Sequence, residues 1–396
     1  MSFSEWKEIK LGELLNFRRG HDLPKTKMLD GNIPVVGSNG VIGFHNEITT
    51  KAPCLTIGRS GNIGNPCYIN KDCWAHNTSL YVDDFKGNDP KYLYYLLKTL
   101  NLGHYGGGSA VPTLNRNHIH PIEIKATINT AEQKAIAHIL STLDDKIEVN
   151  NQINKTLENM AQAIFKQWFV DFEFPNEDGE PYKSSGGEMV ESELGMIPKG
   201  WEVKELGEII DIIKQGTKPG EHLKDRKYNP IDTLPMKSIA INDFKPYEEA
   251  KSSLILFEKY DILIGAMRVY FHRVNLAPYK GITRTTTFVL RSKRIQDVPY
   301  NLFLLNMDET IDYAERTSKG STMPYAVWDN GMSNMLTAYS NKELRNNFFE
   351  IIQPMLETIM KRSAENEVLI KLRDSILPKL MSGKIRVPLD SEGDVS

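Results

Sequence analysis

Several things are scarce or absent in this sequence, and each absence excludes something. Three cysteines, Cys54, Cys67 and Cys73, stand in 396 residues, and none follows them. An odd number without C-x-x-C spacing argues against a disulfide framework and against a thiolate metal cage, and it suits a reducing compartment. No run of eighteen apolar residues occurs, so no membrane span is expected. The opening MSFSEWKEIK carries no apolar stretch behind a basic tip. No secretory leader is therefore expected, and the cytoplasm is the expected location. Catalytic signatures are missing too. There is no G-x-x-x-x-G-K-[ST], no G-x-G-x-x-G, no H-E-x-x-H and no G-x-S-x-G, which removes the usual nucleotide, dinucleotide, zinc-protease and serine-hydrolase readings. An Asn-Pro-Pro-Tyr base-methylation motif is approached only by Asn229-Pro230-Ile231 and Asn65-Pro66-Cys67, and both fail at the second proline.

A large charge is lacking as well. The formal net charge is −3, which by itself argues against a nucleic-acid partner. Its distribution changes that. Residues 1–127 carry +3, residues 128–197 carry −8, residues 198–338 carry +2, and residues 339–396 are neutral. The acid sits in the middle, and the two large blocks are mildly basic, which permits DNA binding without establishing it.

What is present is ordinary globular composition, with 40% hydrophobic and 25% charged residues, and enough chain for two or three domains. The chain also repeats itself. Trp6-Lys-Glu-Ile-Lys-Leu11-Gly12-Glu13-Leu14 resembles Trp201-Glu-Val-Lys-Glu-Leu206-Gly207-Glu208-Ile209. Leu55-Thr-Ile57-Gly58-Arg59 approximates Leu263-Ile264-Gly265-Ala-Met-Arg268. Asn77-Thr78-Ser79-Leu80-Tyr81-Val82 resembles Thr285-Thr286-Thr287-Phe288-Val289-Leu290. Gly108-Ser109-x-x-Pro112 then has its counterpart in Gly320-Ser321-x-x-Pro324. Four matches in the same order indicate a diverged duplication.

A long helical pattern follows each block. Thr130-Ala-Glu-Gln133 and Ser340-Asn-Lys-Glu343 both read as capping boxes. Behind the first come Ile136, Leu140, Leu143, Ile147, Leu157, Met160, Ile164 and Trp168 at three- and four-residue steps, interrupted by Asn150 and Asn154. Behind the second come Leu344, Phe348, Ile351, Met355, Ile359, Leu369, Leu372, Ile376 and Leu380, with Asn366 near the middle, Pro354 as an expected kink or restart, and Gly383 as the stop. Each helix could cover its own domain. Pairing of the two is preferred, because about 40 residues span about 60 Å and because a seam Asn favours an Asn partner. The pairing residues expected are Leu140, Leu143, Ile147, Asn150, Leu157 and Ile164 against Ile359, Asn366, Leu369 and Ile376. The acidic stretch Asp171–Gly195 reads as an extended connector. The glycine runs Gly37-Ser-Asn-Gly40-Val-Ile-Gly43 and Gly58-Arg-Ser-Gly61-Asn-Ile-Gly64 read as strand turns, since no long helical pattern follows either. His118-Ile-His120 could set two imidazoles on one strand face, although no metal site is expected.

Four stretches carry a family resemblance. They are Ala135-Ile-Ala-His-Ile-Leu-Ser-Thr-Leu-Asp144-Asp145-Lys146-Ile147, Ala163-Ile-Phe-Lys166-Gln-Trp168-Phe-Val-Asp171-Phe-Glu173-Phe-Pro175, Glu193-Leu-Gly-Met-Ile-Pro198-Lys-Gly200-Trp201, and Leu372-Arg373-Asp374-Ser-Ile-Leu377-Pro378-Lys379-Leu380-Met-Ser-Gly383. With the duplication, the chain resembles the DNA specificity subunit of type I restriction-modification systems over nearly its whole length. The resemblance implies an α+β fold with two tandem, related, mixed β-rich target-recognition domains, separated by two long antiparallel coiled-coil helices with pseudo-twofold symmetry. The expected boundaries are 1–128 for the first recognition domain, 129–172 for the first helix, 173–200 for the connector, 201–338 for the second domain, 339–384 for the second helix and 385–396 for a tail.

The resemblance further implies a non-catalytic chain that reads a split site on double-stranded DNA. The helices would set the spacer and dock two methyltransferase subunits that methylate adenine, and restriction subunits would join. S-adenosylmethionine, ATP and Mg2+ would belong to those partners, with no cofactor in this chain. Base readout needs donors and acceptors on loops or strand ends. The candidates are Arg59, Asn77, Thr78, Ser109, Asn115, Arg116 and Asn117 in the first domain, and Arg268, Arg284, Thr286, Ser321, Trp328 and Asn330 in the second. A coiled-coil scaffold with two protein- or glycan-binding modules is the alternative, and an enzyme with a metal at His118 and His120 is a third reading.

Overall fold

The computed structural model describes residues 6–107 and 112–387. The chain divides into two compact units. One holds the residues up to Lys146 together with those from Leu369 onward, and the other holds Ile147–Val368. The long helices therefore do not form a body of their own, because each contributes one part to each unit.

In the first unit, strand Trp6–Lys10 pairs antiparallel with Glu123–Thr127 and leads into the one-turn helix Leu11–Leu14. A four-stranded sheet follows, in the order Asn16–Arg19, Ser79–Asp84, Cys54–Gly58, Pro66–Ile69. Its central strand Cys-Leu-Thr-Ile-Gly is buried throughout, as a short apolar run with no alternation requires. Gly40 turns a second hairpin at φ +87° between Ile33–Gly37 and Gly40–His45, so both glycine runs are strand turns. Helix Pro90–Thr99 starts on Asp89, which accepts from the Tyr92 amide at 2.8 Å, with Pro90 at the first helical position, where no N–H is needed. Its Tyr92, Leu93 and Leu96 pack with Leu11, Phe17, Leu55 and Ile57, and with Ile136 and Leu140 of the first long helix.

The second unit repeats the plan. Strand Glu202–Glu205 pairs with Leu336–Tyr339, the one-turn helix Leu206–Ile209 follows, and a sheet runs Ile210–Ile212, Thr287–Ser292, Ile262–Gly265, Val274–Leu276. The pairing register aligns the copies. Gly58 sits opposite Ser79, and Gly265 sits opposite Thr287. A further four-stranded sheet, Gly216–Thr217, Leu254–Phe257, Gly281–Arg284, Lys227–Tyr228, belongs to this unit.

The first long helix runs from Thr130 to Phe165 and ends in a π turn over Lys166–Val170, and the second runs from Lys342 to Met381. Neither expected capping box is the actual cap. Asn129 accepts from the amides of Ala131 and Glu132 at 2.9 and 3.1 Å, and Asn341 accepts from Leu344 at 2.8 Å. Asn outranks Thr as a cap because its carbonyl reaches the second and third amides. Gln133 is instead buried, bonding Asn88 Oδ1 at 2.7 Å and the Thr127 carbonyl at 2.8 Å. Pro354 neither ends nor restarts the second helix. Its turn is flanked by the buried side chains of Phe348, Ile352, Leu356 and Ile359, whose burial offsets the lost hydrogen bond. Gly383 closes the helix at φ +71°, with its amide on the Leu380 carbonyl.

The two helices pair antiparallel inside each unit. In the second unit, Asn150 Nδ2 donates to Asn366 Oδ1 at 2.8 Å and to Glu365 Oε2 at 2.9 Å. Arg362 Nη1 donates to Asn150 Oδ1 at 2.8 Å, and Asn154 bonds Ser363 Oγ at 3.4 Å. Ile359 is buried, while Ile147, Leu157 and Ile164 are half-buried. In the first unit, Arg373 Nη1 donates to Asp144 Oδ1 at 2.6 Å, and Tyr95 Oη donates to Asp144 Oδ2 at 2.6 Å. There Leu140 is buried, with Leu143, Leu369 and Ile376 half-buried. Met160, Ile351 and Leu372 are exposed and leave the stripe. Ile352 takes the place expected of Ile351, because a 3.6-residue period drifts away from a fixed seven-residue repeat.

The connector is less extended than expected. Met189–Ser192 and Gly195–Pro198 form a hairpin, and Phe174 stacks on Tyr182 at 4.5 Å and on Trp201 at 5.7 Å. Gly195 at φ +85° permits the turn, and the aromatic rings supply apolar surface that an extended crossing would leave in water.

Candidate nucleic-acid interface

Both units build the same backbone frame where the central sheet meets the loop before the long helix. In the first unit, the Arg59 amide donates to the Thr78 carbonyl at 2.8 Å, and the Leu114 amide donates to the Arg59 carbonyl at 2.8 Å. Gly107 and Thr113 exchange bonds of 3.0 and 2.8 Å. In the second, Ala266 donates to Thr286 at 2.9 Å, Ala326 donates to Ala266 at 2.8 Å, and Lys319 and Tyr325 exchange bonds of 2.9 Å each. Position by position, Thr113 corresponds to Tyr325, Leu114 to Ala326, Asn115 to Val327, Arg116 to Trp328 and Asn117 to Asp329. The frame also corrects one alignment. Arg59 corresponds to Ala266, while Arg268 corresponds to Gly61, and both members of that second pair are left-handed, at φ +51° and +84°.

The first unit carries an open groove of about 400 Å³ on this frame. Arg18, Arg19, Arg59 and Arg116 line it, together with Leu80, Thr113, Leu114 and Asn115. Strand pairing sets Arg18 and Arg19 opposite Tyr81 and Leu80. Arg59 is half-buried and donates to the Asn77 carbonyl at 3.4 Å, and Arg116 is exposed and donates to the Phe17 carbonyl at 3.2 Å. Arg18 pairs with Asp83, and Arg19 pairs with Asp22 at 3.5 Å. Asn115 caps a one-turn helix, Arg116–Ile119, through the Asn117 amide at 3.0 Å.

Of the expected residues, Arg59, Asn115 and Arg116 thus meet at one groove. Asn77 bonds Asp22 beside it. The Thr78 hydroxyl is held in the turn by the Ser38 amide at 3.3 Å and His76 Nδ1 at 2.9 Å. Asn117 is exposed, and Ser109 lies outside the described residues. Arg18 and Arg19 escaped the sequence reading. Their signal is a tandem arginine separated by four residues from the duplicated Leu-Gly-Glu block.

His118 and His120 are not on a strand. They belong to the one-turn helix and its end, with His118 exposed. His120 Nε2 accepts from the Phe17 amide at 3.1 Å, and its ring lies on Phe17. Burial, followed by the nearby charges of Arg116 and Lys86, lowers its basicity below that of an ordinary histidine, which suits the acceptor role. Among the described residues, no group of three His, Cys, Asp or Glu is placed to hold a metal.

In the second unit the same place is filled. Trp328 is only 5% exposed, and its ring meets Phe288 at 6.3 Å. It is a core residue, which corrects its assignment as a base-contacting side chain. Ile213, whose amide bonds the Val289 carbonyl, stands where Arg18 stands, and Lys214 follows at the place of Arg19. Lys214 Nζ lies 2.5 Å from Asp329 Oδ2. Arg268, Arg284, Ser321 and Asn330 are exposed and Thr286 is half-buried. The Arg268 amide donates to the Pro324 carbonyl at 2.8 Å, which ties its hairpin to the late loop. Tyr270 and Phe271 on that hairpin are 43% and 37% exposed.

Among the described residues, no helix is long and apolar enough to cross a membrane. The sequence family described as the type I restriction modification DNA specificity domain matches residues 3–159 and 198–329. The specificity subunit of the type I restriction enzyme MjaIX from Methanocaldococcus jannaschii is 29% identical over 319 residues, covering 75% of this chain and 69% of that protein. The HindI specificity subunit from Haemophilus influenzae is 23% identical over 464 residues, covering 96% of this chain and all of that one. A crystal structure of a type I restriction-modification S subunit from M. genitalium shares the fold, with a TM-score of 0.64 at 16% identity and 96% of each chain covered.

Proposed function

The chain belongs to the family of type I restriction-modification DNA specificity subunits, and from that premise we propose that its two β-rich domains, 1–128 and 201–338, each read one half of an asymmetric, bipartite site on double-stranded DNA. The observation that carries this reading is the shared backbone frame with unlike side chains. One fold sets half-buried Arg59 and exposed Asn115 and Arg116 on the frame in one copy, while the other buries Ala266 and Trp328 at the matching positions and exposes Arg268, Tyr270 and Phe271 nearby. Related readers with different surfaces suit two different half-sites. The chain supplies recognition and no catalysis. Two methyltransferase subunits bring S-adenosylmethionine and methylate adenine, and restriction subunits bring ATP and Mg2+. The long helices, 129–172 and 339–384, dock the methyltransferases and set the spacer, and the complex works in the cytoplasm.

The test is reconstitution with methyltransferase subunits, followed by mapping of methylated adenines across a genome. Methylation at a split, asymmetric sequence is expected. Methylation without sequence dependence overturns the reading, and DNA binding that stays absent with methyltransferase present favours the scaffold alternative. Inserting residues at the N-terminal side of the first long helix should move the half-sites apart and leave their bases unchanged.

A further inference from the structure

We propose that the two domains grip DNA by different physics: the first through its guanidinium groove on phosphodiester groups, the second through the apolar hairpin tip Tyr270–Phe271 pressed against base steps. The proposal rests on the specificity-subunit reading. In the first domain, four guanidiniums share one groove. Two carboxylates pair with them, Asp83 with the exposed Arg18 and Asp22 with Arg19. Exposed pairs of this kind contribute little, so a phosphate can replace them, and an arginine fork fits phosphate oxygens two at a time. In the second domain the frame is the same, but Ala266, Trp328 and Ile213 replace Arg59, Arg116 and Arg18, so of the four cationic positions only Lys214 remains, in an exposed pair with Asp329. The cluster of four guanidiniums has no counterpart at these positions.

The second domain has something the first lacks. The turn Gly61–Gly64 has both ends left-handed, at φ +84° and +76°, and glycine takes that conformation freely. Its counterpart runs from Arg268 to His272, is one residue longer, and holds both ends left-handed at φ +51° and +53° without glycine. Backbone strain of this kind persists only where surrounding structure enforces it, and it gathers at working sites. The tip so formed exposes Tyr270 and Phe271, edge to face at 5.0 Å. Met323 and Tyr325 of the late loop are exposed as well, beside Arg268 and Lys319. Exposed apolar side chains among cations suit DNA, because aromatic and apolar side chains stack on bases or wedge between base steps while cations meet phosphate.

The test uses the complete complex with methyltransferase on the mapped target, with Kd measured from about 50 to 200 mM salt. Arg19→Gln with Arg116→Gln should lower the slope of log affinity against log salt by about 0.9 for each lost phosphate contact. Lys214→Gln, at the matching place in the second domain, should leave the slope as in the wild type. Tyr270→Ala with Phe271→Ala should weaken binding about 5- to 150-fold with the slope unchanged, and Phe271→Trp should retain the affinity. All five positions are exposed, so these variants should fold. An unchanged slope in the double arginine variant, an equal loss in Lys214→Gln, or wild-type affinity in the tip variant overturns the proposal. A wild-type complex that cannot tell its mapped target from a scrambled sequence overturns the underlying reading instead.

Discussion

Arg116 and Trp328 occupy the same backbone position in two copies of one fold, and they have opposite fates. Arg116 is exposed at an open groove, and Trp328 is buried against Phe288. Four backbone hydrogen bonds of the frame around them repeat at matching positions. The difference teaches that in a duplicated recognition fold the main chain is held by its own ladder and turns, while the side chains it carries can exchange a solvent-facing role for a core role. Homologous position is therefore a poor guide to which residue meets a ligand.

The comparison can be broken at that pair. Trp328→Arg should destabilise the second unit by roughly 3–5 kcal/mol, through a lost ring and a buried charge. Arg116→Trp should change stability by only about 0.5 kcal/mol, as an exposed substitution. Thermal or denaturant unfolding of the two variants checks this, and equal losses would mean that the two sites do not differ as described. The paired helices come next. Asn150→Ala removes the hydrogen bonds of Asn150 to Asn366, Glu365 and Arg362 and should cost roughly 2–4 kcal/mol. Replacing Asn150 and Asn366 together by Leu should restore much of that stability while loosening the register.

A smaller effect distinguishes the hairpin tips. Arg268→Gly should relieve left-handed strain and stabilise the second unit by about 1 kcal/mol, and Gly61→Ala should cost the first unit about the same. The smallest effects concern pH, and they have opposite signs in the two units. The folded pKa of His120 lies below its usual value. Its contribution is therefore present above about pH 6.5 and is lost as pH falls through the lowered pKa. His120→Asn should remove that acid sensitivity. Burial raises the pKa of Glu158, whose Oε1 accepts from Ser238 Oγ at 2.9 Å and from the Ile239 amide at 3.2 Å. Its contribution is full below the ordinary glutamate pKa and is lost as pH rises through the raised one. Glu158→Gln should match the wild type in acid and exceed it slightly at neutral pH. Unfolding midpoints followed against pH separate the two cases.

Much of the fold was legible in the residues. The repeated Trp, Leu, Gly and Glu and the Gly-Ser-x-x-Pro loops gave the duplication and its register. The helical stripes and the seam residues Asn150 and Asn366 gave the pairing. Local competition was less legible. Asn129 outcompeted Thr130 as a cap, Ile352 displaced Ile351 by helical drift, and Pro354 was tolerated because packing on both sides of it outweighed one lost bond. The site was legible only in part. Arg59, Asn115 and Arg116 could be proposed as donors and acceptors on expected loops or strand ends, whereas Arg18 and Arg19 reach the same groove through a strand pairing that residue types alone do not specify.

The sequence by itself determined that this chain carries two related modules, two long helices and no familiar catalytic motif, because repeats, periodicity and motifs are local patterns that survive in one dimension. Only the tertiary structure decided which arginines share a groove and that Trp328 belongs to a core. Those outcomes depend on long-range pairings such as Arg19 with Leu80 and Leu114 with Arg59, and a pairing across such separations sets burial and convergence together.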